Sequence, residues 1–133
     1  MIFDVIIVGA GISGTFMASL LKEKKKDVLV LEKSSGIGGR LSTKPIRQQI
    51  VDYGCQYIKP KTATSVYLAG KLENLGLLIE INLDTSERVF IAPFGMNKIP
   101  QYFSRSTRVL TNTLVNRISH NKKGWEVFAD AGS

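Results

Sequence analysis

A glycine-rich turn between a strand-like and a helix-like segment constrains the fold of this chain more than any other feature. Gly9, Gly11 and Gly14 have the spacing G-x-G-x-x-G and follow the apolar run FDVIIV at residues 3–8. Such a run is typical of a strand that is buried on both faces of a parallel sheet. The segment TFMASLLKEKKK after the turn has helical apolar spacing, and DVLVL at residues 27–31 resembles a second strand. This order of segments predicts a βαβ unit.

Each glycine of the turn has a physical reason to be a glycine. Gly9 permits the tight turn out of the strand, Gly11 lets the backbone approach a diphosphate, and Gly14 lets the helix pack closely on the sheet. The N-terminus of the helix offers free N–H groups and the positive end of its dipole to that diphosphate. Ser13 either adds a hydroxyl to this site or only begins the helix.

Glu32 completes the pattern of a dinucleotide-binding site. It ends the second strand, 18 residues after Gly14, where its carboxylate is placed to accept hydrogen bonds from ribose hydroxyls. An acid at this position disfavours a 2′-phosphate, because two anions would be forced together. A domain that binds NAD alone would carry the same features, so these residues do not distinguish NAD from FAD.

A second glycine-rich loop comes directly after Glu32. The segment KSSGIGGRLSTKP contains Gly36, Gly38, Gly39 and Arg40, and it is too rich in Gly, Ser and Pro to form the interior of a helix or strand. A flexible loop can close over a pyrophosphate, and Arg40 offers charge-assisted hydrogen bonds. A simple NAD-binding fold has no need of this loop, so it favours FAD. The alternative is an ordinary surface loop.

The rest of the chain predicts a mixture of short elements. Residues 50–58 contain a short strand and a bend at Gly54, residues 63–75 form a helix, and LGLLIEINL is either a strand or the end of a helix. RVFIAP is a strand, and GMNKIPQYFS is a turn followed by a short helix. One or two strands over residues 107–118 precede the turn NKKG and the strand WEVFAD.

Composition excludes several classes of protein. The length of 133 residues favours a single domain, and no apolar run approaches the roughly 20 residues of a membrane helix. The N-terminus lacks a basic leader and Cys55 is the single cysteine, which together predict a cytoplasmic protein. The net charge of +7 suits an anionic dinucleotide. The sequence lacks the stripe of basic and aromatic residues that would indicate a nucleic-acid-binding protein, so no nucleic-acid partner is expected. One cysteine and His120, placed in a solvated turn, predict no metal site.

Three later segments, together with the glycine motifs, resemble a family of flavoproteins. GIGGR resembles the GG-containing motif of amine-oxidase-type flavoproteins, and VDYGCQYIKP at residues 51–60 resembles the D-x-G-A-Q-Y segment of renalase and its bacterial relatives. FIAPFGMNKIPQYF and LTNTLVNRISHNKKGWEV resemble two further segments of the renalase-like proteins, in the same order. The resemblance implies an α/β, Rossmann-like FAD/NAD(P)-binding domain over residues 1–133, with a parallel sheet and a β-meander, truncated before the substrate domain.

The resemblance also implies which residues surround the FAD cofactor. Gln56 and Tyr57 would lie towards the isoalloxazine, although an amphipathic pair on a strand edge is the alternative. Val115 falls where such flavoproteins hold the adenine through backbone groups, and Cys55 stands where the family usually has alanine. The cofactor-binding residues expected in all are Gly9, Gly11, Ile12, Ser13, Gly14, Glu32, Lys33, Gly38, Gly39, Arg40, Leu41, Gln56, Tyr57 and Val115.

The activity implied by the resemblance is flavin-dependent oxidation. A hydride would pass from a small-molecule substrate, either a reduced nicotinamide isomer or an amine, to FAD, with oxygen as the final electron acceptor. Members of the family continue beyond the point where this chain ends, so a truncated form is expected. Such a form would self-associate through an exposed sheet edge or be completed by a second chain. A non-catalytic FAD- or NAD-binding module is the alternative function.

Overall fold

The structure of the protein is a computed structural model that describes residues 1–84 and 86–131. Its elements fall into two compact units: residues 1–39 together with the chain from residue 100 onward, and residues 40–99. In chain order the elements are β1 (Val5–Val8), α1 (Ile12–Glu23), β2 (Val28–Leu31), a 3-10 turn (Gly39–Leu41), β3 (Thr43–Ile46), β4 (Gln49–Asp52), α2 (Ala63–Asn74), β5 (Ile79–Ile81), β6 (Val89–Ile91), α3 (Lys98–Ser104), β7 (Arg108–Leu110), β8 (Thr113–Asn121) and β9 (Gly124–Ala131).

A three-stranded parallel sheet forms the centre of the first unit. The strands have the order β1-β2-β7, and β1 pairs with β2 from Val5 opposite Val28 to Val8 opposite Leu31. The connection from β1 to β2 runs through α1, which confirms the predicted βαβ unit and the Rossmann-like fold class. The buried residues Ala10, Ala18, Val28 and Val30 form a core cluster, to which α1 contributes Ala18 and β2 contributes Val28 and Val30.

The two strands of the βαβ unit differ in their burial. All four residues of β2 are buried because β2 lies between β1 and β7. The prediction that residues 3–8 are buried on both faces was wrong, since β1 is half-buried and Val8 is 54% exposed. In the described residues β1 pairs with β2 alone, so its other edge lacks the neighbour that would bury it.

The antiparallel strands of the first unit form one long hairpin. β8 pairs with β9 from Thr113 opposite Ala131 to Asn121 opposite Gly124. The predicted turn NKKG connects them, and the side chain of Asn121 accepts the N–H of Lys123 at 2.7 Å. A β-meander was expected, whereas the antiparallel strands of the described residues pair two by two.

The second unit contains two further antiparallel pairs, β3–β4 and β5–β6. The interpretation of residues 33–45 as a loop was wrong at its end, because Thr43–Ile46 form β3 against β4. Pro45 is tolerated there because β3 has a single partner strand, so the missing N–H does not interrupt a central strand. The bend predicted at Gly54 follows β4, and the strand predicted in RVFIAP is β6. LGLLIEINL was left open between a strand and the end of a helix, and its residues Ile79–Ile81 form the strand β5.

α2 and α3 agree closely with the sequence predictions, whereas α1 begins at Ile12, three residues before the predicted segment, and ends at Glu23, before the lysine run. α2 spans Ala63–Asn74 and begins with a capping box, in which the Thr62 side chain accepts the N–H of Ser65. α3 contains Pro100 at its third residue, where the lost N–H has no intrahelical partner. None of the helices in the described part of the chain is long and apolar enough to span a membrane.

Candidate functional site

The glycine turn, residues 9–14, joins β1 to α1 as the sequence predicts. Gly9 has φ +103°, a conformation that L-residues rarely adopt, and its N–H donates to the carbonyl of Leu31 at 2.7 Å. A Cβ on Gly14 would overlap the carbonyl oxygen of Gly9 and approach Ile7 Cγ2 to 3.2 Å. The tight turn at Gly9 and the close packing at Gly14 are therefore confirmed.

Gly11 is the N-cap residue of α1. Its backbone is extended, and it has no side chain that could accept a hydrogen bond from the first N–H groups of the helix. The first N–H groups of a helix have no intrahelical acceptor, and they form the positive end of its dipole. The first turn contains no acidic residue, and Ser13 in that turn is exposed. Ile12 is half-buried beside it. This end of α1 can therefore accept an anionic group.

Glu32 is buried at the end of β2, and both of its carboxylate oxygens accept backbone hydrogen bonds. The N–H of Ala10 donates to Oε2 at 2.8 Å, and the N–H of Ser34 donates to Oε1 at 2.8 Å. Burial on its own would raise the pKa of Glu32. The bonds from Ala10 and Ser34 and the charge of Lys33 outweigh burial and lower the pKa below its ordinary value. Glu32 is therefore an ionised acceptor at neutral pH.

The glycine loop, residues 36–39, packs directly on the glycine turn. The N–H of Gly38 donates to the carbonyl of Ala10 at 3.1 Å, and Gly11 and Gly38 form an isolated parallel bridge. A Cβ on Gly39 would lie 3.2 Å from the Cα of Gly11, and Gly39 has φ +57°. Gly38 is buried. The alternative interpretation as an ordinary surface loop is therefore wrong for Gly38 and Gly39, because they contact the first motif.

A cavity of about 200 Å³ opens at the carboxyl ends of β1 and β2. Ligands of open α/β sheets bind at this edge. Pockets for drug-sized ligands measure roughly 300–1,000 Å³, so this cavity suits one end of a dinucleotide rather than the whole molecule. The structure brings four of the predicted residues together here, Gly9, Glu32, Lys33 and Val115. The cavity is lined by Val8, Gly9, Leu31, Glu32, Lys33, Thr113, Leu114 and Val115.

Four predicted residues belong to the second unit. The carbonyl of Arg40 accepts the N–H of Cys55 at 2.9 Å, and a Cβ on Gly54 would overlap the same carbonyl oxygen. The glycine of the D-x-G segment is thus required for close contact with the Arg40 backbone. Leu41 is buried, so within this unit its side chain serves packing, whereas Gln56 and Tyr57 are exposed. Their contact with a cofactor stays a prediction.

Sequence reasoning missed several residues of the cavity and the turn. Ala10 is wholly buried and bonds both Glu32 and Gly38, yet an alanine between motif glycines gives no signal of its own. Ser34 contributes its main-chain N–H, which any residue except proline would supply. Thr113 and Leu114 directly precede the predicted Val115 at the start of β8 and line the same cavity. The prediction of Val115 was the signal that could have pointed to them.

The other reactive side chains form no metal centre in the described residues, where no group of three or more His, Cys, Asp or Glu could hold an ion. His120 lies in β8 rather than in the predicted turn, because β8 extends to Asn121. It is exposed, and its ring centroid is 4.8 Å from that of Trp125. The Cys55 thiol donates to the carbonyl of Tyr57 at 3.1 Å.

Comparison with known proteins agrees with this geometry. Residues 7–68 match the NAD(P)-binding Rossmann-like domain family. Flavin-containing amine oxidase A of Canis lupus familiaris is 48% identical over 61 residues, which are 44% of this chain and 11% of that protein. Putrescine oxidase of Kocuria rosea is 33% identical over 98 residues, 69% of this chain and 19% of the oxidase. UDP-galactopyranose mutase of Mycoplasma genitalium is 30% identical over 129 residues, 90% of this chain and 31% of the mutase.

Solved structures with the same fold include a redesigned putrescine oxidase, with a TM-score of 0.78 at 17% identity over 98% of this chain and 55% of the oxidase. The Diels-Alderase PyrE3 has a TM-score of 0.64 at 18% identity, over 96% of this chain and 29% of the enzyme. This chain spans a third or less of each of the three curated relatives. The chain thus has the Rossmann-like fold of these solved structures, and it is similar over part of its length to the flavin-containing amine oxidases.

Proposed function

We propose that this chain binds the ADP part of FAD and serves as the dinucleotide-binding domain of an amine-oxidase-like flavin oxidoreductase. The observation that carries the proposal is the bond from Gly38 N–H to the carbonyl of Ala10, at 3.1 Å. It joins a second glycine segment to the dinucleotide-binding turn, and a simple NAD-binding site has no need of such a segment. The flavin content of the amine oxidase relatives supports the same cofactor.

The residues of the first unit fit the parts of this ligand. The uncapped N–H groups at Ile12 and Ser13 would hold the diphosphate. The Glu32 carboxylate has about four lone-pair sites, and it accepts the backbone N–H groups of Ala10 and Ser34 and the Ser34 side chain, so a ribose hydroxyl can donate to the remaining site. The apolar side chains of Val8 and Leu114, 54% and 52% exposed, give the cavity surfaces for the adenine. Bound FAD would supply the hydride-accepting ring, which the protein itself lacks.

A small amine is the substrate class that we propose for the whole enzyme. Two relatives are named for the oxidation of amines, and one of them for putrescine. The renalase-like resemblance supports a second donor, a reduced nicotinamide isomer, with oxygen as the electron acceptor in both reactions. Hydrogen peroxide formation is therefore measured with each donor in turn, and the donor that yields peroxide identifies the substrate class.

A second candidate is a reaction at a UDP-sugar without net oxidation. It is favoured by one observation, that the alignment with UDP-galactopyranose mutase covers 90% of this chain. A non-catalytic dinucleotide-binding module is the third alternative. Conversion of UDP-galactopyranose without peroxide would favour the mutase-like function, and dinucleotide binding without turnover of any of these substrates would favour the module.

The first experiment identifies the ligand. The purified protein is denatured, any released ligand is identified by mass spectrometry, and calorimetry compares the affinities for FAD, ADP and NAD. We expect tighter binding of FAD than of NAD, because the glycine loop adds contacts to the diphosphate. Affinity for NAD above that for FAD, or binding of none of the three, would contradict the proposal. The cytoplasmic location stays a prediction, which cell fractionation tests.

A further inference from the structure

Both polar groups of Ala10 form hydrogen bonds at the centre of the site. Its N–H donates to Glu32 Oε2 at 2.8 Å, and its carbonyl oxygen accepts the N–H of Gly38 at 3.1 Å. Ala10 itself is completely buried. The carboxylate and the glycine loop are thus connected through a single residue of the glycine turn, and the chain alone makes all of these contacts.

Glu32 is itself held firmly on the sheet. Its N–H donates to the carbonyl of Leu110 at 2.8 Å, and its carbonyl accepts the N–H of Thr113 at 2.8 Å. The second carboxylate oxygen, Oε1, accepts the N–H of Ser34 at 2.8 Å. The acceptor of the Ala10 N–H is therefore a fixed part of the sheet rather than a mobile surface side chain.

We infer that Glu32 is a positioning residue for the diphosphate, in addition to its proposed contact with the ribose. Its carboxylate fixes Ala10, and Ala10 fixes Gly38, so the glycine turn and the glycine loop are held together before any ligand binds. Loss of the carboxylate would leave a buried N–H without an acceptor, which favours movement of the turn. The inference rests on the proposed function, since it assumes that the site takes the ADP part of a dinucleotide.

Two ligands separate the two roles of Glu32. ADP carries both ribose hydroxyls, whereas 2′,3′-dideoxyadenosine diphosphate carries the same diphosphate and adenine without them. A glutamate that only binds ribose contributes nothing to the affinity for the dideoxy ligand. A glutamate that also positions the turn contributes to the affinity for both ligands.

The test compares Glu32→Gln with the wild type by calorimetry. Glutamine keeps the shape of the side chain, but only one of its two terminal atoms accepts a hydrogen bond. The variant removes a negative charge near an anionic ligand, which alone would tighten binding. Because that one accepting atom can stay on the Ala10 N–H, Glu32→Leu, which has a similar size and accepts no hydrogen bond, is measured beside it. We expect the dissociation constant for the dideoxy ligand to rise by about fivefold or more in Glu32→Leu, because the turn is no longer held, and by less in Glu32→Gln.

Asp4→Asn is the matched control. Asp4 Oδ2 accepts the N–H of Asp27 at 2.8 Å, so this substitution also turns a carboxylate that joins the β1 and β2 segments into an amide. Asp4 precedes β1, however, and lies at the end of the sheet opposite to the glycine turn. The affinities of Asp4→Asn for both ligands should equal those of the wild type.

Amide hydrogen exchange in the absence of ligand provides a readout that does not depend on binding. In the wild type the amides of Ala10 and Gly38 should be protected, and in Glu32→Leu, which offers no acceptor, both should exchange about tenfold faster or more. Unchanged affinity of Glu32→Leu for the dideoxy ligand would overturn the inference. If that variant does not fold, fast exchange of both amides in the wild type would overturn it, and protection would support it. Failure of the wild type to bind ADP would instead count against the proposed function.

Discussion

The carbonyl oxygen of Gly9 lies so close to Gly14 that it would overlap a β-carbon added there. We expect Gly14→Ala to destabilise the protein by about 1–3 kcal/mol, because the added methyl group forces the backbone of the turn away from α1. Chemical denaturation measures this change. Gly70→Ala in α2 is the control, since a Cβ there meets nothing within 4 Å and alanine favours the helix, so the control should be as stable as the wild type or more so.

A substitution of Gly11 can distinguish an effect on FAD binding from an effect on the stability of the fold. A Cβ there would lie 4.0 Å from Gly38 O and Gly39 Cα, an ordinary contact, and its φ of −77° suits any residue. Gly11→Ala should therefore change the free energy of unfolding by less than about 1 kcal/mol. Its affinity for FAD should fall by about tenfold or more, because the methyl group hinders approach of the diphosphate.

The measurement for Gly11→Ala is FAD binding by calorimetry together with a denaturation curve, and Gly11→Val should abolish binding. Lys24→Ala, at the C-terminal cap of α1, is the control and should bind FAD normally. A stable Gly11→Val protein that still bound FAD would contradict the assignment of the glycine turn as the diphosphate site.

The ionisation of Glu32 predicts a pH dependence of stability. Its pKa in the folded protein lies below the ordinary value, despite burial, because Ala10 and Ser34 donate hydrogen bonds to the ionised form. Stability from this group is therefore fully present above the unfolded-state pKa, about 4.3, and is lost as the pH falls through the folded-state pKa. Urea midpoints measured from about pH 7 down to pH 3 should fall more steeply for the wild type than for Glu32→Gln. Parallel curves for the two proteins would show that Glu32 gains nothing from these bonds.

Asp52 predicts a stability effect in the second unit. Its Oδ1 accepts the Thr43 hydroxyl at 2.5 Å and the N–H of Met96 at 2.9 Å, while Thr43 Oγ1 accepts the N–H of Asn97 at 3.1 Å. Asp52→Ala should lower the free energy of unfolding by about 1–3 kcal/mol, because both donors lose their acceptor. Asp52→Asn retains one acceptor oxygen and should lose less, which a pair of denaturation curves would establish. Equal losses would mean that the hydrogen bonds are not the cause.

The βαβ unit and the helix at residues 63–74 could be predicted because their signals are local. Apolar spacing fixes which residues of a helix face a core, and the backbone conformation at Gly9 depends on a few neighbouring atoms. The strand at Thr43–Ile46 could not be predicted in the same way. Its residues resemble a loop, and only pairing with Gln49–Asp52 makes them a strand.

The sequence by itself determined the glycine turn, the acid at Glu32 and the order of strand, helix and strand, since each depends on residue type and short spacing. The tertiary structure decided that Gly38 bonds to Ala10, that Val115 lines the same cavity as Glu32, and that β1 stays partly exposed. The physical reason is that burial and hydrogen-bond pairing arise between segments far apart in the chain. Spacing along one segment carries no information about which distant segment will pack against it.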